Sequence, residues 1–149
     1  MRLTLHTDLA LRVLIYLALV DPERATIQQI AEAYGISRNH LMKVVHQVAT
    51  LGYVRSIRGA GGGIELARSP ESIRLGRLIG QVETDFNLVE CFRPDNRCVI
   101  TPACRLPALL DRALARFHEE LDRHTLADLI QPQDQPRLKL QLRLSTNIG

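Results

Sequence analysis

The 149-residue sequence contains three cysteines, and all three fall in one short stretch: Cys91, six residues, Cys98, five residues, Cys104. An odd number of cysteines in one cluster fits a metal site better than a disulfide framework. Three thiolates in one loop make a good site for a soft metal. The spacing has no Cys-x-x-Cys, so it matches neither a zinc ribbon nor a ferredoxin run. Two plainer alternatives stay open on the residues alone: free cysteines, or a zinc ion held by three Cys and a His. His118 and His124 qualify by type as a fourth ligand. Both lie well along a following helix, where a surface or interface position accounts for either.

A second group of side chains has the chemistry to hold nucleic acid. Arg38, Asn39 and His40 stand together at the start of an amphipathic segment, with Lys43 close behind. Arginine suits guanine edges and asparagine suits adenine edges. Arg55 and Arg58 lead into Gly59-Ala60-Gly61-Gly62. Between residues 37 and 68 the basic residues are Arg38, Lys43, Arg55, Arg58 and Arg68, and the only acid is Glu65, a net +4. The whole chain is +3, so everything outside this stretch sums to −1. Charge concentrated in this way is what phosphate neutralisation requires. A winged helix used for protein contacts, with its charges merely solvated, is the alternative. The agreement of charge, helix order and wing favours DNA.

These residues must be positioned by helices and a hairpin. Thr7 or Asp8 caps a helix over residues 7–20. That helix is apolar on most sides, which predicts burial on several faces. Asp21-Pro22 ends it. Thr26 and Gln29 form a capping box for a second helix, and Gly35 supplies its left-handed C-terminal residue. Ser37 caps a third helix that runs to about Leu51, with Leu41, Val44, Val45 and Val48 facing inward. Two short helices joined by a glycine-containing turn form a helix-turn-helix. Tyr53–Arg58 and Gly63–Ala67 are β-capable, and the glycine-rich stretch between them closes a hairpin. Ile73–Val82 reads as a short helix, and residues 85–104 have no periodicity.

Residues 105–124 carry the clearest helical pattern. Leu106, Leu109, Leu110, Ala113, Leu114, Phe117 and Leu121 form one apolar stripe, and charged residues cover the other side. This helix is expected to dock on the N-terminal helix. It is also expected to pair with a second copy of itself across a two-fold axis through Leu106, Leu110, Leu114, Phe117 and Leu121. Thr125-x-x-Asp128 caps a further turn. The expected fold is mainly α, a winged helix-turn-helix with a two-stranded β wing and a long C-terminal dimerisation helix. The DNA-binding domain spans 1–84, the cysteine loop 85–104, the dimerisation helix and following turn 105–130, and a flexible tail 131–149.

Composition excludes other classes. Hydrophobic residues make up 46% of the chain but aromatics only 4%, with no Trp, so the core must be aliphatic. The apolar run Val13–Val20 is too short to span a bilayer. His6, Asp8 and Arg12 interrupt any signal-peptide reading. The expectation is a cytoplasmic protein with reduced thiols and no membrane partner. No phosphate-binding glycine loop, G-x-S-x-G or H-E-x-x-H occurs, and the chain is read as non-enzymatic.

Several segments, taken together, resemble a known family. They are Met1-Arg2-Leu3-Thr4 with Thr7-Asp8 and Ala10-Leu11-Arg12, then Ser37-Arg38-Asn39-His40, Arg58-Gly59 and Gly62-Gly63-Ile64. Further on are Leu88-Val89-Glu90-Cys91, Ile100-Thr101-Pro102-Ala103-Cys104-Arg105-Leu106 and Thr125-Leu126-Ala127-Asp128-Leu129. They are similar to the NsrR family of nitric-oxide-sensitive repressors over nearly the whole chain, most specifically around Cys104. The resemblance implies a homodimeric winged-helix repressor with an iron–sulfur cluster on Cys91, Cys98 and Cys104, in a 4Fe–4S form rather than 2Fe–2S. It implies an oxygen ligand from the first helix of the other subunit. The matching residue is Asp8, which by residue type alone reads as a helix N-cap. It further implies nitric oxide as the signal and an operator of two-fold symmetry as the DNA partner. The related IscR regulators carry a His shortly after the third Cys. Here Arg105-Leu106-Pro107 follows, with no His until His118, which favours the nitric-oxide branch. The alternatives are an IscR-like regulator of cluster supply or oxidative stress, and a zinc-stabilised winged-helix DNA-binding protein. An electron carrier would have no use for Arg38–His40 and the glycine wing.

Overall fold

A computed structural model of the chain describes residues 2–144. Helix α1 spans Leu5–Val20 and starts earlier than expected. Thr4, not Thr7 or Asp8, is its N-cap, accepting from the Thr7 N–H at 3.3 Å. The reason lies in Thr7, whose hydroxyl turns inward and is buried. Leu9, Val13, Leu14, Tyr16, Leu17 and Leu19 are all buried, as an all-round apolar helix demands.

Helix α2, Ile27–Tyr34, has its capping box on Thr26 and Gln29, and Gly35 ends it at φ 63°. Helix α3, Arg38–Thr50, buries Leu41, Val44, Val45 and Val48. Ser37 occupies its N-cap but makes no side-chain capping bond; its carbonyl accepts from the Leu41 N–H at 3.2 Å. At the other end the Arg68 guanidinium donates to the Leu51 and Gly52 carbonyls and lies 4.7 Å over the Tyr53 ring. Arg68, part of the basic count, therefore serves as a C-terminal cap.

The wing pairs β1, Val54–Ile57, with β2, Gly63–Leu66, antiparallel, with Arg55 opposite Glu65. Ala25 extends the ladder by exchanging two backbone hydrogen bonds with Ile64. A β-carbon on Gly62 would stand 2.5 Å from the Ile57 carbonyl oxygen, so the turn accepts only glycine there.

Helix α4 is Leu75–Val82 and the long helix α5 is Leu106–Asp122. The main neighbour of α5 is α4, not α1 as expected. Gly76 explains this: with no side chain, it lets the backbone of α5 at His118 and Asp122 come within contact distance. Among the described residues the apolar stripe is only partly covered: Leu110, Leu114, Phe117 and Leu121 are half-buried. Leu106 and Leu109 are 47% and 54% exposed, and no α5 residue is fully buried. After the Thr125–Asp128 capping box, the segment expected as a loose tail contains helix α6, Gln135–Gln141. Leu138, Leu142 and Leu144 pack on the core. Residues 145–149 of that expected tail lie outside the described residues. Among the described residues, no helix is long and apolar enough to cross a membrane.

Candidate functional site

The cysteine loop begins where α4 ends. Cys91, Cys98 and Cys104 are half-buried and carry free thiols. The loop lacks periodicity but not order. Cys91 sits in a short 3-10 turn, Glu90–Phe92. Asn96 accepts from the Cys98 N–H at 2.9 Å and donates to the Thr101 hydroxyl, which itself donates to the Cys98 carbonyl at 2.8 Å. The Cys104 N–H then donates to the Thr101 carbonyl, so one chain of bonds links Cys98 to Cys104. Glu90 accepts from the Arg97 N–H and closes the first half of the loop. Asn96, Thr101 and Glu90 were not singled out in the sequence. Their only signal was a polar, turn-forming composition between the cysteines.

Among the described residues, no three His, Cys, Asp or Glu side chains gather closely enough to hold a metal ion. His118 is an edge-on aromatic partner of Phe86 and Phe117, with centroids 4.7 and 5.6 Å away. His124 lies near Glu120 and Asp128. Aromatic and carboxylate surroundings account for both histidines.

Asp8 stands in the first turn of α1, half-exposed, paired with Arg12 at 2.8 Å. Arg12 in turn lies over Tyr34, whose hydroxyl donates to the Arg12 carbonyl. Burial pushes the Tyr34 hydroxyl up to about 12, although Arg12 pulls the other way.

Two further contacts radiate from the same turn. His6 hydrogen-bonds Gln47 on α3. Thr4 and Thr7 donate to Glu83, the residue after α4, from the Thr4 N–H at 2.7 Å and the two hydroxyls at 3.1 and 2.9 Å. The other Glu83 oxygen accepts from the Thr84 and Asp85 N–H groups at the root of the cysteine loop. Glu83 is only 5% exposed. Burial pushes its carboxyl up, but the hydrogen bonds from Thr4, Thr7 and Asp85 outweigh that and hold it below the usual carboxylate range. A buried glutamate at a helix end has no sequence signature, because the residue type reads as exposed.

The basic face is assembled from α3 and the wing. Arg38, Asn39, His40 and Lys43 are all exposed along the outward side of α3, and Arg58 is exposed at the wing turn. Among the described residues, Arg38, Lys43 and Arg58 enter no ion pair. Arg55 differs: it is held at 2.6 Å by Glu65, which also takes Arg24 at 2.7 Å. Arg24 reaches on to the Gly61 carbonyl at 3.3 Å and so ties the wing to the turn after α1. The hydrogen bonds from Arg24 and Arg55 hold the Glu65 carboxyl below its ordinary value. The sequence reading missed Arg24, whose partner lies 41 residues away.

Comparison with known proteins bears on this arrangement. The family described as "Rrf2: Iron-dependent Transcriptional regulator" matches residues 3–132. The HTH-type transcriptional regulator NsrR of Bacillus subtilis strain 168 is 50% identical over 136 residues, covering 90% of this chain and 93% of that one. The structure of CymR, the global cysteine regulator of B. subtilis, aligns with a TM-score of 0.67 at 29% identity, covering 87% of this chain and 95% of that one. T. potens IscR shares the fold, with a TM-score of 0.71 at 23% identity over 92% of this chain and 91% of that one.

Proposed function

The chain belongs to the Rrf2 family of transcriptional regulators, and from that premise we propose that it is a nitric-oxide-sensing repressor that grips its operator as a homodimer. It is a regulator, not an enzyme. One observation carries the reading furthest: the unpaired bases Arg38, Lys43 and Arg58 lie exposed on the recognition helix and wing of a fold whose remaining charge is net negative. Arg38, Asn39 and His40, at the start of α3, meet base edges in the major groove, and Lys43 and Arg58 neutralise phosphates. Arg55 contributes its charge from within the Glu65 pair.

The donor set has the chemistry for an iron–sulfur cluster, and the reading takes the 4Fe–4S form over 2Fe–2S. Three thiols free of disulfides are soft ligands on a single loop that leads straight into α5. Cys91, Cys98 and Cys104 would hold the cluster, and Asp8 of the partner subunit, here paired with Arg12, would offer it a harder oxygen ligand. When bound, the cluster supplies iron that nitric oxide, a small π-acid, attacks. Leu106, Leu110, Leu114, Phe117 and Leu121 on α5 form the dimer interface. Among the described residues none of these five side chains is fully buried, and a half-covered apolar stripe supports a partner surface.

The test uses the full-length protein purified without oxygen. Its visible absorption and iron and zinc content are read first. It then selects duplexes from a random library, and its affinity for the best duplex is measured before and after stoichiometric nitric oxide. Iron–sulfur absorption, and a large loss of affinity on exposure, are expected. Zinc in place of iron, or affinity unchanged by nitric oxide, would overturn the sensing part. Arg38→Ala should cost about 1–3 kcal/mol of specific binding; unchanged binding at equal salt would overturn the placement of α3 in the groove.

A further inference from the structure

We infer that Met42 is a specificity-determining residue that reads a thymine methyl group in the major groove. The inference rests on the DNA-binding reading above. Asn39, Met42, Lys43 and His46 are separated by three, four and seven residues from the first, so they share one face of α3. All four are exposed. Three are polar; Met42 is the large apolar side chain among them, 43% exposed and outside the apolar core cluster.

A single exposed apolar residue is ordinary on a protein surface. Position is what distinguishes this one. Met42 sits mid-stripe, with Arg38 one turn before it and His46 one turn after. The fold does not require it, because Gln, Lys or Glu would favour the helix about as well and leave Leu41, Val44 and Val45 undisturbed. Its value lies outward. A thioether on an unbranched chain moulds to small apolar surfaces. The apolar feature on the floor of the major groove is the C5 methyl of thymine. Asn39, almost one turn earlier on the same face, is the type that pairs with adenine. The two together commit the middle of each half-site to A·T pairs, with guanine reserved for Arg38 at the helix start.

The test removes methyl groups and nothing else. The full-length protein, kept anaerobic, selects duplexes from a random library, and the best duplex is remade with deoxyuridine replacing thymidine at one position at a time. Wild type should lose about fourfold in affinity at one thymine of each half-site, the worth of one buried carbon. Met42→Ala should bind the thymine duplex about as weakly as wild type binds the uracil one, and should lose nothing further at that position. No loss by wild type at any single position, or an equal loss by Met42→Ala, overturns the inference. Lys43→Ala separates it from its foundation: this variant should weaken all duplexes alike and reduce the salt dependence. If wild type enriches no sequence at all, the DNA-binding reading falls and Met42's role with it. Enrichment without a methyl effect sinks only the role of Met42.

Discussion

Glu83 accepts five hydrogen bonds while almost wholly buried: three from Thr4 and Thr7, two from the backbone that opens the cysteine loop. A neutral amide there would replace one acceptor oxygen with a donor. Glu83→Gln should therefore lower the urea unfolding free energy at neutral pH by about 1–3 kcal/mol. The pH dependence has a definite sign. The folded carboxyl titrates below its unfolded value. Its contribution is thus complete above the ordinary carboxylate range and is lost as pH falls through the folded pKa. The gap between wild type and variant should begin to narrow as pH falls below the ordinary carboxylate range, about pH 4, and close only in stronger acid. A gap independent of pH would mean that Glu83 acts through shape, not charge. The contrast with α3 shows what single residues disclose. Arg38, Asn39, His40 and Lys43 were legible because an amphipathic period leaves them no side but the outer one. Glu83 was not, because its partners at Thr4 and Thr7 are more than seventy residues away.

At the scale of elements, Gly76 of α4 decides where α5 lies. A β-carbon on Gly76 would stand 2.6 Å from the His118 carbonyl oxygen and 2.8 Å from the Asp122 backbone nitrogen. These are backbone atoms, and they cannot swing aside. Gly76→Ala should push α5 off α4 and cost about 1–3 kcal/mol, read as a lowered thermal midpoint. An unchanged midpoint would show that α5 can shift freely. Capping boxes at Thr26 and Thr125, the Gly35 stop and the wing hairpin were all legible, because each is written in four or five consecutive residues. The docking of α5 was not. An apolar stripe says that a helix needs a partner, and the choice between α1, α4 and another copy depends on where glycines permit close approach. The order of residues 135–144 within the expected tail was not legible for a similar reason: α6 is only seven residues long, and Leu138, Leu142 and Leu144 show their purpose only against the core.

For the whole molecule, the proposed two-fold arrangement would set the distance between recognition helices, and half-site spacing is a strict geometric demand. Leu114→Asp should give monomers or insoluble protein in sedimentation, because dimerisation would bury an unpaired charge. A soluble dimer would move the interface off α5. Switching such a dimer from mostly competent to mostly incompetent needs a bias of about 5.5 kcal/mol. The exposed Asp8–Arg12 pair, at roughly 0–1 kcal/mol, cannot supply it. The proposed ligation across subunits, by three thiolates and Asp8, would supply it. Cys91→Ala, Cys98→Ala and Cys104→Ala should each abolish cluster-dependent operator binding yet leave a folded dimer by sedimentation. Equal operator affinity for cluster-loaded and cluster-free wild type would sink this coupling.

The bond from Thr4 to Glu83 also orders events in time. On the ribosome, the helix-turn-helix and wing can pair as soon as they emerge, since Ala25 and Ile64 or Arg55 and Glu65 are separated by at most a few tens of residues. The first turn of α1 must wait for a carboxylate 79 positions later, and closing so long a loop costs entropy before it returns any enthalpy. Thr7 should then report late in refolding: Thr7→Val, which deletes the hydroxyl that donates to Glu83, should speed unfolding and leave the folding rate nearly untouched, a φ-value near zero. The N-terminus, synthesised first, would be the last part of the chain to settle.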